Sequence, residues 1–262
     1  MSEIKLGPAY IGGYKEAFDN LKEFHRLGFK FAGVPFTYGV WLSNEQAKEI
    51  GKLAEKLDIE LAIHAPYYIN LNSEEPKKIQ ASIKRILDSC ERAHYLKAKY
   101  VVFHAAFYMK KKPEEVYEIV KEKILEMQKT IKKNNWNVVL APETTGKKSQ
   151  FGDLDELLKL HKETGCSFCV DFAHLEARNG KEDYSGVLEK LKKAGIRKLP
   201  VCHFSGIEYS AKGERKHVPT SSDKIKKLLT AIENSKIDAN IMNESPDPLK
   251  DSIKSIKLLH QL

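Results

Sequence analysis

Six short apolar runs in this sequence each stop on an imidazole or a carboxylate. Leu61-Ala62-Ile63 stops at His64, and Val101-Val102-Phe103 at His104. Val138-Val139-Leu140-Ala141-Pro142 stops at Glu143, and Phe168-Cys169-Val170 at Asp171. Val201-Cys202 stops at His203, and Ile241-Met242-Asn243 at Glu244. A β-strand turns alternate side chains to opposite faces, so Glu143 shares a face with Ala141 and Val139 at the strand's end. The runs recur at intervals of roughly 30–40 residues, the size of a βα unit. Repetition in phase points to one polar cluster gathered at one end of a barrel.

The intervening segments read as helices. Tyr14 to Leu27 carries Ala17, Leu21, Phe24 and Leu27 on one stripe, and Gly28 stops it. Further helices are expected from Ser43 or Asn44 to Leu57, Pro76 to Leu96 and Pro113 to Asn134. Four more run over Leu154 to Thr164, Tyr184 to Ala194, from Ser221 or Ser222, and over Leu249 to Leu262. Two more strands, Ile4 to Leu6 and Phe29 to Val34, precede the first histidine run. Ser167 to Asp171 is read as the sixth strand, followed by a loop with His174, Glu176 and Arg178. The longest loop, Ser205 to Pro219, follows the seventh. Eight strands alternating with eight helices predict an α/β fold, a single (β/α)8 TIM barrel occupying 1–262 as one domain. No linker or composition shift divides the chain.

A hydrophobic fraction of 42% supplies a sizeable core, and a formal net charge of +8 favours a polyanionic partner, although a solvated lysine-rich surface gives the same sum. No apolar run approaches the ~20 residues that cross a bilayer, which argues against a membrane partner. With no secretory leader, the four cysteines are expected to be reduced in a cytoplasmic protein. Cys166-x-x-Cys169 is a lone pair, so a structural zinc knuckle is not expected, and Cys169 is read as a filler of the barrel interior.

Barrel active sites lie at the C-terminal ends of the strands, where His64, His104, Glu143, Asp171, His203 and Glu244 would meet. Three imidazoles and three carboxylates suit Zn²⁺, Mn²⁺ or Fe²⁺. Three carboxylates in one mouth repel one another unless cations separate them. A pair of ions about 3.5–4 Å apart is the usual apparatus for in-line attack on a phosphodiester. One histidine at a strand end is more often structural than a ligand, but one shared site accounts for all six residues together. His174 and His217 lie on following loops and can join, whereas His25, His94, His161 and His260 fall in helices and read as packing or surface residues. Lys110, Lys111, Lys112, Lys147, Lys148, Lys212, Arg215 and Lys216 fall in loops that would ring the mouth, as a phosphate backbone requires. Tyr67, Tyr68, Phe107 and Tyr108 lie there too, to stack on bases or simply to pack the loops.

At these residues the sequence resembles the endonuclease IV family of abasic-site endonucleases, within the xylose-isomerase-like barrels. The resemblance is carried by His64 to Leu71, Val102 to His104, Pro142 to Gly146, Val170 to His174, Cys202 to Ser205 and Asn243 to Ser245. It implies hydrolysis of duplex DNA on the 5′ side of an abasic or damaged nucleotide, in DNA repair. It implies Glu143 bridging two zinc ions and Glu244 placing the attacking water, the catalytic pair. His64 and His104 would hold one ion, Asp171 and His203 the second, His174 and His217 a third. Tyr67 would enter the DNA at the gap; from their placement in the mouth loops, Lys147, Lys148, Lys212, Arg215 and Lys216 are expected as further DNA contacts.

The chain departs from that pattern where the family has an aspartate two residues before the last histidine. Arg215 stands there, Lys216 follows, and Glu214 lies one position too early. Two zinc ions are therefore expected, manganese being an alternative, and the third ion is the one these changes put in question. The second-strand loop, Pro35 to Trp41, has no arginine to push into DNA.

Two other readings stand beside the nuclease. A single-metal sugar isomerase or epimerase would use Glu143, Asp171, His203 and Glu244 and leave His64 and His104 unexplained. A homologue altered near Arg215 would bind DNA without turnover. A monomer is expected in each case.

Overall fold

The structure, a computed structural model, describes residues 2–262. Strands and helices alternate through β1 (Ile4–Pro8), α1 (Tyr14–Arg26), β2 (Phe31–Pro35), α2 (Asn44–Lys56), β3 (Glu60–His64), α3 (Pro76–Leu96), β4 (Tyr100–Phe103) and α4 (Pro113–Lys133). Next come β5 (Val139–Pro142), α5 (Leu154–Thr164), β6 (Val170–Asp171), α6 (Phe172–Asn179), α7 (Tyr184–Lys193) and β7 (Lys198–Phe204). A hairpin of β8 (Gly206–Ser210) and β9 (Gly213–Val218) precedes α8 (Ser222–Ser235), β10 (Asp238–Asn243) and α9 (Pro248–Leu259).

Eight parallel strands form two arcs, ordered β1-β10-β7-β6 and β2-β3-β4-β5. The arcs meet at β5 and β6, where Ser167 N donates to Leu140 O at 2.8 Å and Cys169 N to Pro142 O at 2.9 Å. On the opposite side β1 and β2 come together, with Lys30 N donating to Leu6 O at 3.3 Å. A Cβ on Gly7 would fall 1.5 Å from the Phe31 carbonyl oxygen, so glycine is what lets these two backbones approach. The fold is the α/β TIM barrel that the strand and helix count predicts. Helix α1 buries one stripe, Ala17, Leu21 and Phe24, against the barrel. Ser43, Asp153 and Ser221 cap α2, α5 and α8 through side-chain oxygens.

Three expectations need correcting. The segment with His174, Glu176 and Arg178 is a helix, α6, rather than a loop. All seven residues from Phe172 to Arg178 are buried, so the segment shows no apolar and polar sides from which a helix could be read. Asp171 both ends β6 and caps α6, its Oδ1 accepting from His174 N at 2.8 Å, and β6 has only two ladder residues. The long polar loop after β7 is an antiparallel hairpin, which makes ten strands and nine helices among the described residues.

Candidate metal centre

The barrel interior explains the polar cluster. One buried layer consists of Phe31, Ala62, Val102, Ala141, Cys169, Val201 and Met242, drawn from seven neighbouring strand segments. Advancing two residues from each keeps the same face and moves one layer toward the mouth. From Ala62, Val102, Ala141, Cys169, Val201 and Met242 that step reaches His64, His104, Glu143, Asp171, His203 and Glu244. The remaining two strands place Ala9 and Gly33 beside this layer, and both line a cavity of about 210 Å³ with His64, Tyr67 and Glu244. The side of the mouth without ligand side chains is thus open space.

Glu143 lies at the centre. Its Oε2 is 3.0 Å from His64 Nε2 and 3.0 Å from His104 Nε2. Its Oε1 is 2.7 Å from His203 Nδ1, which is 3.2 Å from Glu244 Oε1. Two main groups of potential ligand atoms therefore share one carboxylate, His64, His104 and Glu143, and then Glu143, Asp171, His203 and Glu244, and Cys169 also lies within reach of Glu143 and His203. Burial opposes ionisation of Glu143, but His203 and His104 outweigh it and hold the carboxyl well below its usual range. Burial likewise opposes the charged form of both His64 and His203, yet Glu143 and Glu244 raise His64, and Cys169, Glu244 and Glu143 raise His203.

A third group forms on α6 and the hairpin. His174 Nε2 lies 3.2 Å from His217 Nε2, and Asp171 completes a cluster with both. Each of these rings is held by its other nitrogen. His174 Nδ1 is 2.9 Å from Thr144 O and His217 Nδ1 is 2.6 Å from Ser205 Oγ, which aims both Nε2 atoms at one point. Glu214 joins them, with Oε2 3.6 Å from His174 Nε2 and Oε1 4.0 Å from His217 Nε2. In a regular strand, residues three apart face opposite ways. Here Glu214 pairs with Tyr209 and Lys216 with Glu208, so Arg215 is an extra residue without a partner. This bulge shifts the alternation by one and brings Glu214 and His217 to the same face. Arg215 is exposed. A Cβ on Gly146 would lie 2.6 Å from Glu214 Cβ, so the turn after β5 needs glycine to admit this side chain. Sequence spacing counted against Glu214; the bulge that rescues it has no signature in the residue types.

The donor set fits divalent metal. Asp171 Oδ2 and His203 Nε2 are buried and have no hydrogen-bond partner among the described residues, in a site where unpaired polar atoms are costly. Nitrogen and carboxylate ligands in this ratio match zinc or manganese. Acidic side chains converge that would repel one another without cations between them.

The other predicted residues surround the mouth. Tyr67 is 60% exposed and stands edge-on to His64 with ring centroids 5.7 Å apart. Burial of part of its ring, with Glu244 and Glu143 nearby, pushes its phenol up to about 12. Lys147, Lys148, Lys212, Arg215 and Lys216 are exposed on the loop after β5 and on the hairpin, Lys216 lying 3.4 Å from Glu208. Cys169 is buried in the interior layer, as read from its strand phase, and all four cysteines are free. Arg178 was missed as a functional residue. It is buried, and its guanidinium donates to Lys147 O at 2.7 Å, Gln150 O at 3.0 Å and Thr145 Oγ1 at 3.2 Å. It thereby clamps the turn that follows Glu143.

Comparisons with known proteins agree with this architecture. A family model described as xylose isomerase-like TIM barrel matches residues 21–262. An uncharacterized protein of Methanocaldococcus jannaschii is 33% identical over 259 residues, 95% of this chain and 93% of that one. Probable endonuclease 4 of Mycoplasmopsis synoviae is 27% identical over a stretch spanning 56% of this chain and 53% of its own length. Among solved structures, endonuclease IV from Thermus thermophilus has a TM-score of 0.74 at 21% identity, with 99% of this chain and 100% of that one covered. A D-tagatose 3-epimerase-like protein reaches 0.74 at 17% identity, covering 100% of this chain and 96% of the other.

Proposed function

Since this chain belongs to the xylose isomerase-like TIM barrel family, we propose that it is a metal-dependent endonuclease acting on DNA, cutting the phosphodiester on the 5′ side of an abasic or damaged nucleotide. The observation that carries this reading is the sharing of Glu143 between two ligand groups, one of them built from His64 and His104. A single-ion isomerase has no use for that second group. The similarity to proteins named endonuclease 4 and endonuclease IV supports the same choice.

In this reading His64 and His104 would hold one ion and Asp171 and His203 a second, with the Glu143 carboxylate within reach of both groups. Zinc is the expected metal, with manganese as the alternative. Bound ions would supply Lewis-acid polarisation of the phosphodiester and ease deprotonation of the attacking water. Glu244 orients that water and accepts its proton, since it faces both the cavity and His203. Tyr67 borders the cavity and shields the centre from bulk water on that side. Lys147 and Lys148 reach phosphates flanking the cut. Repair of DNA within the cell as a monomer is the setting this activity implies.

The test gives purified protein loaded with zinc or manganese to duplex DNA carrying one abasic site. Strand incision, with two or three ions per chain by mass spectrometry, is expected. Failure to incise while a control enzyme succeeds overturns the reading. A single-metal sugar epimerase is the second reading, favoured by the 210 Å³ cavity beside Glu244 and by the epimerase-like neighbour. One ion per chain, with exchange of a ketose carbon-bound proton into solvent, identifies that outcome.

A further inference from the structure

Arg178 is buried on α6, yet its guanidinium meets carbonyl and hydroxyl oxygens rather than a carboxylate: Thr145 O, Thr145 Oγ1, Lys147 O, Gln150 O and Tyr108 Oη. A buried cation is costly unless it is well satisfied, and a planar fork of donors fixes several acceptors at once. Arg178 stands four residues beyond His174, so the two share a face of the helix. His174 holds the start of the turn after β5 through Thr144 O at 2.9 Å, and Arg178 holds its middle and end. Tyr108 extends the grip to the loop after β4. Its hydroxyl accepts from Arg178 Nη2 at 3.3 Å and donates to the Glu156 carboxylate at 2.8 Å, and its N donates to Ser149 O at 3.0 Å.

The gripped turn carries the hairpin. Gly146 O accepts from Glu214 N at 3.1 Å. A Cβ on Gly213 would lie 2.2 Å from the same oxygen, so the hairpin rests on the turn backbone to backbone. Glu214 Oε2 then reaches to 3.6 Å from His174 Nε2. Helix, turn and hairpin form a closed circuit: His174 and Arg178 set the turn, the turn sets Glu214, and Glu214 returns to His174. We infer that Arg178 is a positioning residue for the outer ligand group. By fixing the turn it holds Glu214 at the spacing from His174 and His217 at which these side chains, with Asp171, retain a divalent ion. This rests on the metal-dependent reading and adds to it a residue that is not itself a ligand. The effect is confined to the outer group, because the strands place His64, His104, Glu143 and His203.

The test loads the full-length protein with zinc, dialyses it against a competing chelator and counts retained zinc by elemental analysis. The parent is expected to retain three ions. Arg178→Ala weakens the hold on one of them by about 10–100-fold, loses it to the chelator and keeps the inner two. Millimolar guanidinium restores the lost ion, entering by the cavity of about 460 Å³ that Arg178 lines with Lys148, Asp153 and Asn179, and urea at the same concentration does not. Gly213→Ala breaks the same circuit from the hairpin, outside the barrel, and loses the same ion. Arg178→Ala combined with Glu214→Ala still keeps two, since both act on one ion. An Arg178→Ala protein that melts lower yet retains three ions, or a double variant that loses a second ion, overturns the inference and leaves Arg178 a stabilising residue only. If Arg178→Ala does not fold, Gly213→Ala decides, and three retained ions overturn the inference. A parent that retains two ions and incises abasic duplex also overturns it and leaves the nuclease reading standing. A parent that binds no zinc removes both.

Discussion

The candidate metal centre has two halves built in different ways. His64, His104, Glu143 and His203 are placed by the pleat of the barrel, each two residues beyond an interior apolar side chain. His174, His217 and Glu214 are placed by local irregularities: a helix that starts on Asp171, and a bulge at Arg215. The first half is fixed by the same hydrogen bonds that close the barrel, so its geometry cannot change without the fold. The second half can be altered one residue at a time. Evolution can therefore add or drop the outer group while the inner pair stays in place.

The most damaging way to break this comparison is at the residue both inner groups share. Glu143→Gln keeps the shape of the side chain but removes the charge that His64, His104 and His203 face. Loss of a bridging carboxylate removes several kcal/mol of charge stabilisation, so activity should fall by roughly a thousand-fold or more. Metal analysis should show two fewer ions per chain with circular dichroism unchanged. A variant that keeps both ions would mean that Glu143 bridges nothing.

The same division accounts for what was legible in the sequence. The inner half follows from period-two alternation and from runs ending in phase, which residue types display directly. The barrel was legible for the same reason. The helix α6 was not, because burial on every side from Phe172 to Arg178 erases the amphipathic stripe. Glu214 was counted against by its spacing, since spacing arguments assume unbroken alternation and Arg215 breaks it. Arg178 was invisible because its partners, the carbonyls of Lys147 and Gln150, are carried by every residue whatever its type.

A smaller effect sharpens the comparison at the outer group. Glu214→Ala should remove one ion per chain and lower activity by about 10–100-fold, leaving the inner pair loaded. Arg215→Ala should keep all ions, because that side chain is exposed and only its backbone makes the bulge. Ion counts on the two variants side by side decide whether Glu214 or Arg215 governs the site. If Arg215→Ala gains an ion and Glu214→Ala loses none, the outer group is set by charge rather than by the bulge.

The smallest effect separates the halves by proton rather than by metal. In metal-free protein, burial opposes charge on His174, but Asp171, Glu143 and Glu214 outweigh it and raise the imidazole from 6.5 to about 9. A group whose folded pKa exceeds its unfolded one adds stability that is full below 6.5 and is lost as pH climbs through about 9. Chelator-treated protein should therefore melt lower at pH 9.5 than at pH 6.5, by on the order of a few degrees. Zinc inverts the trend over the same window, because the ion displaces these protons and binds more tightly as they leave. His174→Asn should flatten the metal-free profile while the raised His64 and His203 of the inner group keep part of it. A metal-free melting temperature that rises between pH 6.5 and 9.5 would show that the carboxylates around His174 do not hold it charged, and that burial governs the outer group instead.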